Sequence, residues 1–270
     1  MSLKIINTGG DGGLTITNTG GVGSFTLTQS VITEPTQSLP TSSYTTASLV
    51  LNLDAYEYIG SGNWLDLTDN SNDATIVQTP TYSTNESGSF DLNGGSITAT
   101  GQVDSFSITD NSTLDNMSSI SIEMWIKIDS IQGVGSANML FSKRAVNTNG
   151  YVGFFTTAGY IFRIGTTSPT QLSWSTTPVT GSWQQIVITV GASGSKVYRN
   201  GVEVQDSPLY VGNFGNINTA ANLLIGDVNP NNSGLYGFDG KVSVFRMYNT
   251  VLSPTDVEKN YNSIKNRYGL

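Results

Sequence analysis

From Ala47 onward the chain is built of short runs in which apolar side chains alternate with polar ones or follow each other directly, each closed off by Gly, Asn or Ser. The runs are SLVLNLDA (48–55), GSFDLNG (88–94), SISIEMWIKID (119–129), NMLFSK (138–143), YVGFFT (151–156), YIFRIG (160–165), SWQQIVITV (182–190), SKVYRNGVEV (195–204), NLLIGD (222–227) and GKVSVFRMYN (240–249). A strand repeats every two residues, so short runs of this kind with turn signals between them predict an antiparallel sandwich. In the third run Ile122, Met124, Ile126 and Ile128 share one face, and Glu123, Trp125 and Lys127 share the other. Asn200-Gly201, between KVYR and VEV, is the signature of a type I′ hairpin turn, which needs positive φ at both central residues.

Helical spacing is confined to the end of the chain. Ser253 is a candidate N-cap, Pro254 fits the first helical position, Asp256 sits where a capping-box acid stands, and Val257, Tyr261, Ile264 and Tyr268 follow at helical intervals. A short helix here is expected to seal one end of the sandwich. The other end of the chain is a repeat: residues 7–17 (NTGGDGGLTIT) and 18–28 (NTGGVGSFTLT) align without a gap, each a Gly-rich turn followed by alternation. Leu14, Ile16, Phe25 and Leu27 are too few to bury much on their own, so this arm needs a partner surface. That surface is either its own main domain or a sister subunit or larger assembly. Residues 33–46 (TEPTQSLPTSSYTT) have linker composition. The expected organisation is an arm at 1–32, a linker at 33–46 and the sandwich at 47–270.

Composition narrows the chemistry. The chain has no Cys and no His, which removes disulfides, thiolate zinc sites and every His-based acid–base or nucleophilic scheme. Charged residues make up 12%, so the polar surface is mostly Ser, Thr, Asn and Gly. With 12 Lys+Arg against 20 Asp+Glu, a net charge of −8 and no basic cluster, nucleic acid is not an expected partner. Nothing after Lys4 resembles a signal-peptide core, and no apolar segment is long enough for membrane insertion. A chain of this kind reaches the outside if it is assembled in a host cytoplasm and released by lysis, as a virion component is.

The order of LVLNLDA (49–55), WLDLTDNSNDATI (64–76), GSFDLNGG (88–95), SIEMWIKI, LFSK, SWQQIVITV, VYRNGVEV, LLIGD and FDGKVSVFRMYNTVLSPTDVEKNYN resembles the laminin-G-like jelly rolls of the concanavalin A-like lectin/glucanase superfamily. The likeness spans about residues 48–270. It implies an all-β, two-sheet antiparallel jelly-roll sandwich with a short C-terminal helix, here preceded by a small β-rich arm. It also implies core positions for Trp64, Trp125 and Trp183. The DLTDNSND loop and the NYN-x-x-KNRYG ending look most like domains of tailed-bacteriophage virion proteins, where such modules serve as capsid decorations, head fibres or tail-fibre parts.

Glucanases of the superfamily carry alternating acids on one strand, because glycoside hydrolysis needs two carboxylates flanking the scissile bond. The nearest strand here reads Ser121-Ile122-Glu123-Met124-Trp125-Ile126-Lys127, with Trp125 and Lys127 where acids would be required. Glu123 is then a solvated or cross-strand-paired side chain, and the chain is expected not to be an enzyme. Many superfamily members hold calcium near a sandwich edge. Two loops dense in Asp and Asn could supply oxygens: Asp66, Asp69 and Asn72 in the first, Asp227 and Asn229 in the second. The same residue types are also ordinary turn formers. A sugar would want an exposed aromatic plate beside polar partners. Trp174 and Tyr236 stand in polar surroundings and are the candidates, the alternative for Trp174 being a packing role.

These readings converge on a non-enzymatic structural subunit of a phage virion. It would be a homo-oligomer held to other virion proteins through residues 1–32, displaying a jelly roll toward host-surface or environmental glycans. The alternative is a free calcium-dependent carbohydrate-binding lectin or adhesin.

Overall fold

A computed structural model describes residues 4–7, 14–17, 43–97, 103–115, 117–133, 135–144, 150–165, 170–192, 194–204, 217–228 and 235–270. The chain forms two compact units, residues 1–39 and 40–270. In the first, strand Leu14–Thr17 of the first repeat pairs antiparallel with Lys4–Asn7, with Ile5 opposite Ile16. The second repeat, 18–28, and residues 33–42 of the expected linker lie outside the described residues.

The second unit is the sandwich. One sheet runs, edge to edge, through Thr170–Trp174, Gly159–Gly165, Gly150–Thr156, Asn138–Arg144, Leu223–Ile225, Ser105–Ile108 and Ala74–Val77, with Leu235–Gly237 and Gly95–Ile97 attached at its side. The other runs through Val202–Glu203, Gly194–Arg199, Trp183–Gly191, Ile120–Ile128, Gly240–Tyr248, Ser89–Leu92 and Thr81–Ser83, with Leu49–Asp54 also pairing Gly240–Tyr248. Named pairings are antiparallel except the one between Asn138 and Tyr236. All ten runs read from the sequence contain strands. Between the sheets lies one large apolar cluster, to which Ile122, Met124, Ile126 and Ile128 contribute from one strand and Phe141, Phe155, Phe162 and Leu172 from the opposite sheet. Asn200 and Gly201 both hold positive φ (53° and 79°), as a type I′ turn requires.

The C-terminal helix, Pro254–Ile264, begins as the sequence indicates. Ser253 accepts from Asp256 N, the Asp256 carboxylate accepts from Ser253 N, and Pro254 opens the first turn. Its place differs from expectation. Rather than closing an end, the helix and the 3-10 turn Lys265–Tyr268 lie on the outer face of the second sheet. Val257 packs with Val187, Tyr198 and Tyr248, and Ile264 with Trp125 and Val244. This is why the strand Ile120–Ile128 is buried on both faces, apart from Lys127. The expected linker also ends earlier than 46. Tyr44 lies 4.0 Å over the Arg246 guanidinium, and Thr45 N donates to Asn260 Oδ1, so both belong to the sandwich.

Candidate functional site

The face on which a glucanase would array its acids is the one the helix covers. Across four strands the register aligns Asn52, Arg246, Glu123 and Val187 in one row. Glu123 is fully buried. Its Oε1 accepts from Gln185 Nε2 (2.8 Å), Trp125 Nε1 (3.2 Å) and Arg246 (3.5 Å), and its Oε2 from Asn260 Nδ2 on the helix (2.7 Å). Arg246 also donates to Asn52 Oδ1, and Asp54 beside it takes both terminal nitrogens of Arg267 at 2.8 Å. Two cations and two carboxylates are thus buried together with their hydrogen bonds largely met, the condition under which buried charge is tolerated. Tyr268 stacks on Trp125 at 4.3 Å and closes the face. Burial first, and the Glu123 charge next, push the Tyr248 hydroxyl well above its ordinary range. Of the two settings expected for Glu123, the structure has the cross-strand pair, with Arg246, and not the solvated one.

A second polar region stays open. Where strands Leu49–Asp54 and Ile120–Ile128 begin and Gly240–Tyr248 finishes, there is a cavity of about 520 Å³. Ser48, Asn70, Ser112, Thr113, Asp115 and Asn249 line it with hydroxyls, amides and a carboxylate, and Leu49, Val50 and Met117 supply the apolar part. Its walls are held by local hydrogen bonds. Asn70 and Asn72 both donate from Nδ2 to Val50 O (2.9 and 3.1 Å), and Asn72 Nδ2 also reaches Thr113 Oγ1 (3.0 Å). Asn111 caps the 3-10 turn Ser112–Leu114, and Asn249 N donates to Ser48 O. Ser48 holds φ at 60° and Ser71 at 55°, left-handed positions that a residue with a Cβ occupies at some cost in strain.

Behind the cavity, Lys143 is fully buried and its ammonium is saturated by Asp110 (2.6 Å), Asp115 (2.9 Å) and Thr219 O (2.9 Å). Asp115, 7% exposed, gives Oδ1 to Lys143, while Oδ2 accepts no hydrogen bond from any described residue.

The calcium ligands expected in the first loop do not assemble. Asp66 Oδ1 accepts from Asn52 N and Thr68 N, and Oδ2 from Thr68 Oγ1 and Asn72 N, all between 2.8 and 3.0 Å. Four donors from the protein itself take up the lone pairs a cation would need, and Asn72 is buried with its amide turned to Val50 and Thr113. Asp69 is exposed. Among the described residues no three acidic side chains gather as a metal would require. The loop's Asp and Asn hold its fold through these bonds, while Asn72 Oδ1 is buried without a hydrogen-bond partner among the described residues. In the second loop Asp227 is 6% exposed and accepts from Val228 N (2.7 Å); burial raises its carboxyl to about 6. Asn229 lies outside the described residues.

The two aromatic candidates differ in exposure. Trp174 is 1% exposed and is not a surface plate. It ends the strand Thr170–Trp174, opposite Tyr160, and alternation turns Leu172 and Trp174 inward to the core while Gln171 and Ser173 face out. The L-S-W alternation carried that signal, but a polar setting of Gln, Ser and Thr outweighed it. Tyr236 is half-buried, its ring so close over Gly133 that a Cβ there would lie 2.5 Å from it. Trp64 lies in the core between the sheets; Trp125 is buried under the helix instead, and Trp183 is half-buried against Tyr268.

Two packed antiparallel sheets with one covering helix define a lectin-like jelly roll. Residues 100–258, more than half of the chain, match the family described as the concanavalin A-like lectin/glucanases superfamily, in its laminin-G-like branch. The chain belongs to that superfamily. No curated protein sequence matches it. Among solved structures it is similar to the binding domain of Paraclostridial mosquitocidal protein 1 (TM-score 0.63, 16% identity), covering 82% of this chain and 55% of that one. It is also similar to a botulinum neurotoxin type C structure, described by its dependence on two ganglioside molecules for cell entry (TM-score 0.60, 17% identity, 80% of this chain and 51% of that one). A third is the binding domain of botulinum neurotoxin DC in complex with rat synaptotagmin II (0.59, 15%, 80% and 52%). The chain spans about half the length of these structures, and at such identities the likeness is one of fold.

Proposed function

We propose that this chain is a non-enzymatic binding and display module, a subunit of a tailed-phage virion whose jelly roll engages glycans on a host or in its surroundings. The observation that carries the non-enzymatic part is Glu123. The strand position that would serve hydrolysis is fully buried, shared among Gln185, Trp125, Arg246 and Asn260, and roofed by Tyr268. A general acid or nucleophile must reach the scissile oxygen or carbon, and this one cannot. The binding part is supported by membership of a lectin-containing superfamily and by the open, polar cavity.

The virion assignment rests on the resemblance of the DLTDNSND loop and the KNRYG ending, and on an N-terminal unit separate from the sandwich. In this reading residues 1–32 attach the chain to sister copies or to other virion proteins. No helix among the described residues is long and apolar enough to cross a membrane. Native mass measured on the full chain and on a chain beginning at Pro40 tests the attachment. A discrete oligomer that becomes monomeric without residues 1–39 supports it, whereas an oligomer unchanged by the deletion removes the arm's role in self-assembly.

A further inference from the structure

We propose that the cavity between Ser48, Asn70, Asp115 and Asn249 is a binding site for an uncharged saccharide, an inference that rests on the glycan-binding reading above. A pyranose presents hydroxyls at close intervals around its rim and C–H groups on its faces. It therefore needs donors and acceptors placed a few ångströms apart, with an apolar patch between them. The cavity has that makeup. Ser48, Ser112, Thr113 and Ser118 bring hydroxyls, Asn70 and Asn249 bring amides, and Leu49, Val50 and Met117 bring the apolar patch. Its volume of about 520 Å³ falls within the ~300–1,000 Å³ of small-ligand sites.

Asp115 gives the site its character. A carboxylate that is 93% buried and paired on one oxygen, with the other oxygen accepting nothing from the described residues, is a strong acceptor in waiting on the cavity wall. A sugar hydroxyl would donate to it. Lys143 holds the carboxylate in place, but its own three donors already go to Asp110, Asp115 and Thr219, so it has none left for a ligand.

The same facts decide against acidic sugars. The residues lining the cavity include no Lys or Arg, the carboxylate would repel a sialic acid, sulfate or phosphate, and the chain carries a net charge of −8. The walls are also pre-organised. Asn70 and Asn72 clamp Val50 O, and Asn72 clamps Thr113, so little ordering is required on binding.

The test is ligand-observed NMR titration of the full chain with galactose, glucose, N-acetylglucosamine and lactose, and with sialyllactose as the charged control. It is repeated with Ser118→Trp, which fills the cavity from an exposed position, and with Asn249→Ala, which removes an exposed amide from its rim. The expected result is binding of at least one neutral sugar, weakened by ~10-fold or more in Ser118→Trp, with the melting temperature of Asn249→Ala unchanged and its affinity reduced. If both variants bind as the unaltered chain does, the cavity is not the site, while the glycan reading stands. Preference for sialyllactose overturns the assignment to uncharged sugars. If the unaltered chain binds none of the panel, the glycan reading fails and the site with it.

Discussion

The helix-covered face and the rim cavity are both dense in polar side chains, and they end in opposite states. On the covered face Glu123 pairs with Arg246 and Asp54 with Arg267, leaving Arg246 Nη2 and Arg267 Nε buried without a hydrogen-bond partner among the described residues, and Tyr44 and Tyr268 exclude water from them. At the cavity the polar residues are first held by their own loops, through Asn70, Asn72 and Asn111, and still present hydroxyl and amide groups outward. Polar density therefore does not mark a site. What separates the regions is whether solvent, and with it a ligand, can reach the hydrogen-bonding capacity left over once the protein's own donors and acceptors have paired.

The largest expected effect falls on the covered face. Glu123→Ala leaves Arg246 buried without its partner and should cost about 3–5 kcal/mol in chemical denaturation. Glu123→Leu with Arg246→Met, which removes both charges, should recover most of that loss. A single variant within about 1 kcal/mol of the original would mean the face is wet, and the contrast would collapse.

Next comes Asp66→Ala. It strands the backbone N–H groups of Asn52, Thr68 and Asn72, so a loss of about 2 kcal/mol is expected, equal in calcium and in chelator. A loss that appears only in calcium would restore this loop as a metal site.

Asp227 sharpens the comparison, as a buried carboxylate that no cation meets among the described residues. Its folded-state value of about 6 lies above the ordinary 3.8, so folding favours the protonated form. Well below pH 3.8 the carboxyl is neutral whether folded or unfolded and contributes nothing; between about pH 4 and 6 the unfolded chain ionises while the folded one stays protonated, so stability falls, and above about 6 that loss is complete. Asp227→Asn should therefore stabilise the protein by on the order of 1 kcal/mol at pH 8 and by almost nothing at pH 3.5, read from melting curves at the two values. The smallest effect belongs to the cavity rim, where Asn249→Ala should stay within about 0.5 kcal/mol, because an exposed amide there supports a ligand rather than the fold.

The legible part of this protein was what depends on neighbours in the chain. Alternation placed the strand Ile120–Ile128 and sorted its faces, Asn200-Gly201 marked a turn, and Ser253-Pro254 with Asp256 marked a helix start. Each follows from preferences that act over two to four residues. Among the described residues six short strands escaped the pattern of runs, Thr170–Trp174 among them, so that Trp174 stood as a candidate sugar plate with a packing role as the alternative, and alternation within that strand decides for packing. The loop at Asp66 was read by composition, and composition does not tell a carboxylate available to calcium from one occupied by backbone N–H groups.

The sequence by itself determined strands, turns, helix caps and a chemistry without Cys or His. Tertiary structure alone decided which faces are covered and which polar groups remain free. Glu123 meets Asn260, Asn72 meets Thr113, and Lys143 meets Asp110 and Asp115 across long stretches of chain. Nothing local to any of these residues specifies the partner that desolvates it, since burial is set by packing between elements distant in the chain.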